Sequence, residues 1–435
     1  MSERTRRWLL VIIGVGWLLR VVMALTTEPL ALRASGGDEF WYLANGMGLF
    51  MADPTGTVYG GFRYAANNLP IAPLYLIFTG AFQQVLSLEQ SMIAIRLVQT
   101  MMGALTCYVA FDLARLLSDD ERVGLVVAGA LAFSVPMIIE PSLILTETLY
   151  MSLLMTGVWV YCRWLAPTLT QAHLAQAVSV GVLLGLATLT RAVGLLFPAV
   201  IALHMLWLGR DHWRKIIMLV LILLVSYGAT ISTWTVYNLV RYQRVIIVSN
   251  QFFPALWRGA IEEDGSPQQN DELLGDETPM EQSLTVIRSD LASFVRLRIN
   301  ELSGAYLQPH GTVSFGNESL RDLARQWIDD GLRLDSLWRL LNGEGFAVKL
   351  LIYIWHYIAL VAGIIGMALM RQRATIAPVL IGFIVYTSTL HLVVLALPRY
   401  IFPTYPFYWI FAGVALVALW DRLRGLTHTP SPAKL

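Results

Sequence analysis

The chain has 435 residues, of which 56% are hydrophobic and 14% charged, and its mean hydropathy is +0.59. Soluble domains carry about 25% charged residues, so a water-soluble globule is excluded and an integral membrane protein remains. Thirty-one Lys and Arg against 30 Asp and Glu give a net charge of +1, without the basic excess of a nucleic-acid binder.

In chain order, the first apolar run, Trp8 to Leu25, follows Arg4, Arg6 and Arg7 as a signal peptide would. It is longer than a usual signal h-region and many further spans follow, so it reads as a retained first helix. Runs long and apolar enough to span, on the rule of about 20 residues, then lie near 92–117, 122–139, 146–165, 174–191, 193–208, 216–238, 347–369, 376–396 and 400–420. A shorter run, Ile71 to Leu86, opens after Pro70. Cys107 and Cys162 sit inside apolar runs and offer neither a disulfide framework nor a metal-binding CxxC spacing.

Lys and Arg mark cytoplasmic loops, which places Arg4/Arg6/Arg7, Arg210/Arg214/Lys215, Arg371/Arg373 and Arg422/Arg424 on one side. An even number of crossings must separate the first two anchors, so the run Ile71 to Leu86 is expected to lie at the membrane surface without crossing. The expected architecture is an all-α polytopic protein of about ten spans, both termini cytoplasmic, with juxtamembrane helices in the first external loop. It divides into a transmembrane module at 1–240 containing the external loop 26–91, an external loop with amphipathic helices at 241–346, and C-terminal spans at 347–435. Within that second loop, Glu262 to Glu281 carries eight carboxylates and no Lys or Arg, and reads as a solvated stretch. Ser319 to Leu341 has helical apolar spacing and is expected on the membrane surface or over the site. The inverted halves of many secondary transporters are not evident.

Polar chemistry concentrates at the outer level. Gly36-Gly37-Asp38-Glu39-Phe40-Trp41-Tyr42 places adjacent carboxylates beside an aromatic cluster. Helical neighbours diverge by about 100°, so only one of Asp38 and Glu39 can point straight into a pocket; the plainer reading makes Asp38 a helix cap. Glu147 falls at the outer end of its span, where an ionisable residue usually lines a cavity or pairs, although a wet helix end beside Thr146 would also accommodate it. Arg191 and Arg399 lie outside against the positive-inside bias. A planar guanidinium there suits a phosphate, while snorkelling or a pair of Arg191 with Glu147 is the structural alternative. Arg63, ahead of the surface helix, is a weaker third phosphate candidate.

No P-loop, zinc spacing or dinucleotide-binding glycine motif appears. A transferase working outside the cell then needs a donor that carries its own energy, which a lipid-linked phosphate supplies. Here the residues resemble the GT-C class of membrane glycosyltransferases, in the branch similar to bacterial protein O-mannosyltransferases and the lipid A aminoarabinose transferase. The resemblance rests on Gly37-Asp38-Glu39 with Tyr42 and Ala44, Pro70-Ile71-Ala72-Pro73-Leu74-Tyr75, Arg96 and Gly103. It continues through Leu145-Thr146-Glu147, Gly185 to Arg191, Trp234 to Asn238 entering the large loop, and Arg399-Tyr400 with Pro403 and Pro406.

The resemblance implies transfer of one hexosyl or pentosyl group from a polyprenyl-phosphate donor to a hydroxyl of a glycan, lipid or protein. Inversion is expected, with Asp38 as general base, at the extracytoplasmic face of a bacterial inner membrane. Glu39 and Glu147 would assist catalysis, Arg191, Arg399 and Arg63 would hold the donor phosphate, and Tyr42, Tyr75 and Tyr400 would line the pocket. The chain departs from the family in having Tyr237 before Asn238 where Arg is usual, and the loop residues of the aminoarabinose enzyme's metal site have no match; no metal cofactor is expected. Membrane lipids are expected partners and nucleic acid is not. The competing reading is a transporter or flippase of a lipid-linked glycan intermediate.

Overall fold

In the computed structural model the described residues are 1–27, 36–50, 72–171, 173–249, 252–261, 279–316, 318–373 and 375–425, and no strand occurs among them. The helices are α1 (Glu3–Thr26), α2 (Gly36–Phe50), α3 (Leu74–Gln83), α4 (Leu88–Ser118), α5 (Glu121–Ala132), α6 (Val135–Ile139), α7 (Thr146–Val160), α8 (Leu174–Thr190), α9 (Phe197–Leu208) and α10 (Trp213–Tyr242). There follow α11 (Phe252–Ile261), α12 (Pro279–Ser289), α13 (Leu291–Leu307), α14 (Leu320–Asp329), α15 (Leu334–Leu341), α16 (Phe346–Met370), α17 (Ala377–Val393), α18 (Pro398–Ile401) and α19 (Tyr405–Leu423). All ten expected spans fall on helices. Among the described residues, five segments are long and apolar enough to cross a membrane singly, and α5 with the segment through Ser142, bent by 66°, would make a sixth. Leu174–Thr190, Ala192–Leu208 and Ala377–Val393 are shorter apolar helices.

The surface helix expected from Ile71 is α3, only 10 residues long. At about 1.5 Å per residue it reaches about 15 Å, half of the roughly 30 Å hydrocarbon core. The amphipathic stretch Ser319 to Leu341 forms α14 and α15. Trp234 to Asn238, expected to enter the large loop, belong to α10, which continues to Tyr242. Asn238 is buried there, its amide donating to the Trp234 carbonyl at 2.9 Å. Most of the acidic stretch, 262–278, lies outside the described residues.

Local chemistry sets the helix ends. Ser87 and Gln90 form a reciprocal capping box on α4, and α4 ends at Asp119 in the left-handed region (φ 57°); short polar side chains tolerate that conformation. The bend after α5 comes at Phe133-Ser134, ahead of Pro136, whose ring and missing N–H stop a continuous helix. Two of the carbonyls freed at the end of α5 accept from the buried Arg20 of α1: Leu131 at 2.9 Å and Ala132 at 3.1 Å. A cation at a helix C-terminus also suits the helix dipole.

Small residues let the spans approach. A Cβ at Gly181 would meet Ser226 Oγ at 2.1 Å, and one at Gly185 would meet Thr230 Cβ at 2.7 Å, so α8 and α10 touch along a small-xxx-small face. Gly363 and Gly366 of α16 likewise lie against the backbone carbonyls of Tyr408 and Phe411 in α19.

Candidate active site

Four elements, α2, α7, α8 and α18, converge at the end of the bundle where α2 and α3 pack. α2 begins at Gly36, so Asp38 and Glu39 occupy its first turn, not the cap, and acidic residues are favoured there by the dipole. α2 packs on α3 at Gly46, where a Cβ would meet Thr79 Oγ1 at 2.2 Å. Tyr42 meets Tyr75 edge-on at 5.2 Å. The Tyr75 hydroxyl donates to Gln99 Oε1 at 2.8 Å, and the Gln99 amide donates to the carbonyls of Pro141 and Leu143 at 3.0 and 2.7 Å. This buried chain of bonds joins α3 to α4 and to the segment before α7.

Asp38 and Glu39 diverge as helical geometry requires. Glu39 is fully buried, its Oε2 accepting from the Ile144 backbone N–H at 2.8 Å, so it pins the loop ahead of α7 and does not face the pocket. Asp38 points outward, and its Oδ2 accepts from Arg399 Nη1 at 2.6 Å across 361 residues of sequence. The Arg399 side chain is 34% exposed and that of Asp38 51%. Arg399 Nε is buried without a hydrogen-bond partner among the described residues, so the guanidinium has donor capacity left over.

Beside this open pair lies a closed one. Glu147 is in the first turn of α7 and Arg191 directly follows the last turn of α8, each charge at the helix end its sign favours. They form an ion pair with side chains only 3% and 15% exposed. Thr146 Oγ1 completes the corner, accepting from Arg191 Nη1 at 3.2 Å and donating to Glu147 Oε2 at 3.1 Å. The alternative raised from sequence, a pair of Arg191 with Glu147, is therefore what the structure has. Tyr400 joins the two corners: the Arg191 and Arg399 guanidinium carbons lie 5.5 and 5.3 Å from its ring centroid. Burial, and then the Glu147 charge, push the Tyr42 phenol up to about 12, so it remains a hydrogen-bond donor at neutral pH.

The structure thus gathers Asp38, Glu147, Arg191, Arg399, Tyr42 and Tyr400. It places Glu39 and the fully buried Tyr75 behind them as supports. Arg63 lies outside the described residues. Among the described residues no three His, Cys, Asp or Glu side chains come together as a metal-ligand group.

Two contributors escaped the sequence reading. Gln99 is a lone amide in an apolar run, and that isolation was its signal. Glu140 is buried after α6 and its Oε2 lies 2.7 Å from His310 Nε2, tying the segment after α13 to the bundle; the seven dispersed histidines gave no hint of it.

The sequence model of the dolichyl-phosphate-mannose-protein mannosyltransferase family matches residues 76–261. No curated protein sequence matches the chain. Among solved structures, the oligosaccharyltransferase of Archaeoglobus fulgidus in its apo form aligns over 99% of this chain and 54% of its own, at 13% identity and a TM-score of 0.56. The same archaeal enzyme, AglB, in complex with an inhibitory peptide and a dolichol-phosphate, aligns over 97% and 51%, again at 13% identity and 0.56. The chain therefore spans about half the length of these relatives, and the likeness is one of fold. ArnT from Cupriavidus metallidurans aligns over 95% of this chain and 78% of its own at 14% identity, with a lower TM-score of 0.39. In sequence over its middle part, and in fold over almost its whole length, the chain resembles the GT-C membrane glycosyltransferases.

Proposed function

We propose that the protein is a glycosyltransferase that moves one sugar from a polyprenyl-phosphate donor to an acceptor hydroxyl at the extracytoplasmic face of a bacterial inner membrane, with inversion. The observation that carries this reading is the half-exposed pair of Asp38 with Arg399, set beside a buried ion pair and an aromatic ring. The matched family's description and the dolichol-phosphate bound to the archaeal relative support a lipid phosphate as the anion.

The chemistry follows from the exchange this pair permits. The Arg399 side chain is one-third exposed and its pair with Asp38 half in water, so an arriving phosphate can take the guanidinium from Asp38. The released carboxylate then accepts the proton of the acceptor hydroxyl as its oxygen attacks the anomeric carbon, and the bond from that carbon to the donor phosphate breaks. General-base help of this kind is worth about 10²- to 10⁴-fold. A phosphate leaves readily and needs cations rather than the second, protonated carboxyl of glycoside hydrolysis. Arg399 meets that need directly, and Arg191 adds positive charge from behind Tyr400 while remaining paired to Glu147. In this scheme the arginines serve where a divalent metal otherwise would, so chelators should leave turnover unchanged.

The test is transfer by the purified protein in nanodiscs from a polyprenyl-phosphate-linked radiolabelled sugar to candidate hydroxyl acceptors, with Asp38→Asn as control. Asp38-dependent release of free polyprenyl phosphate, with label on the acceptor, supports the reading. Movement of the intact donor between leaflets with no bond broken would replace it with the flippase reading.

A further inference from the structure

A groove of about 950 Å³ opens between α14 and α16. Its wall is a stripe on one face of α16, Leu350, Ile354, Ile358, Val361 and Ile365, each between 37% and 60% exposed. At its rim stand Arg321 and Arg325, one turn apart on α14. The acids of the same helix, Asp322 and Asp329, are not among the lining residues, nor is any other carboxylate. Among the described residues neither arginine has an ion pair.

Arg321 and Arg325 stand at the boundary of the apolar face of α14, next to Leu320, Ala324 and Ile328, which also line the groove. Arg321 is half-buried and Arg325 exposed, so their guanidiniums present two positive charges to an anion at the mouth of an apolar groove. The open stripe on a spanning helix means the groove is reached from the bilayer. An amphiphile with a negative head and apolar chains fits both ends, whereas a zwitterionic head would set its ammonium against two like charges. Bilayer phospholipid surrounds the groove at very high local concentration, and occupancy follows concentration.

We propose that this groove is a binding site for an anionic phospholipid of the surrounding bilayer, its phosphate on Arg321 and Arg325 and its acyl chains along the α16 stripe. Occupancy would brace the neighbouring segment. Tyr353, from the groove wall, donates to Gln308 Oε1 at 2.6 Å, and Gln308 Nε2 donates to Thr312 Oγ1 at 2.9 Å. Between them lies His310, which holds Glu140.

The proposal is independent of the transferase reading, because its test reads lipid binding by delipidated full-length protein. Native mass spectrometry in detergent, titrating phosphatidylglycerol against phosphatidylcholine, should show preferential retention of the former. Each basic residue near an anionic surface contributes enough that Arg321→Gln with Arg325→Gln should weaken phosphatidylglycerol by about 30-fold and leave phosphatidylcholine unchanged. Asp322→Asn with Asp329→Asn, on the same helix but outside the groove lining, should not weaken it. Should the double glutamine variant fail to fold, Ala362→Trp, which fills the groove without touching charge, should also lower retention. Equal binding of the two phospholipids, or full phosphatidylglycerol binding in both the glutamine and the tryptophan variants, would overturn the proposal. So would displacement of phosphatidylglycerol by equimolar polyprenyl phosphate, which would assign the groove to a donor-type lipid.

Discussion

The two outward arginines began as equivalents in the sequence and end as opposites in the structure. Arg191 and Glu147 are sealed between the ends of α8 and α7 with side chains 15% and 3% exposed, whereas Arg399 and Asp38 meet at 2.6 Å with 34% and 51% exposed. A buried pair is costly to break from one side, because a charge is left without water or partner. A half-exposed pair is worth little and opens easily. The first is suited to holding a pocket's shape, the second to trading partners with an incoming anion. Tyr400 lies against both and fixes their spacing.

The largest effect expected is at the open corner. Asp38→Asn should lower transfer by about 10²- to 10⁴-fold while donor lipid still binds, since only proton acceptance is lost; single-turnover kinetics in nanodiscs would read it. Next, at the closed corner, Arg191→Ala should destabilise the protein by about 3 to 5 kcal/mol, seen as a lowered unfolding temperature, with part of that loss recovered when Glu147→Gln removes the stranded charge. A double-mutant cycle that gave no coupling between the two would contradict their description as a sealed pair.

Behind the open corner, Glu39→Gln keeps an acceptor for the Ile144 N–H but makes it neutral, and should cost about 1 kcal/mol with most turnover retained. Loss of activity equal to that of Asp38→Asn would move Glu39 from support to chemistry. The smallest stability change belongs to Arg399→Ala, below about 1 kcal/mol, because the pair it breaks is half in water.

The spans were legible because their signal is one of length and apolarity, and Pro73 marked the start of α3. The 66° bend was half legible. Pro136 announces a break, but the cation that satisfies the freed carbonyls, Arg20, comes from a helix more than a hundred residues earlier. The site's members could be named one by one from residues that break a local rule: carboxylates beside glycines, and arginines on the wrong side. Of their pairings, that of Arg191 with Glu147 could be raised as one alternative, and that of Arg399 with Asp38 could not. Which arginine meets which carboxylate depends on contacts across 361 residues in one case and on the meeting of two helix ends in the other, and no period or spacing carries that. The same limit hid Glu140 with His310, whose partners are 170 residues apart.

The division of labour between the corners is tested most directly by the affinity of Arg399→Ala for polyprenyl phosphate, measured on folded protein in nanodiscs. A charge-assisted contact to phosphate is worth roughly 1.5 to 3 kcal/mol, so the apparent Kd should rise by about 10- to 150-fold with the unfolding temperature nearly unchanged. Lysine at the same position should recover only part of the affinity, because the charge returns without the planar fork. An unchanged Kd in Arg399→Ala, with the protein still folded, would contradict the account and leave the Asp38–Arg399 pair as a structural contact alone.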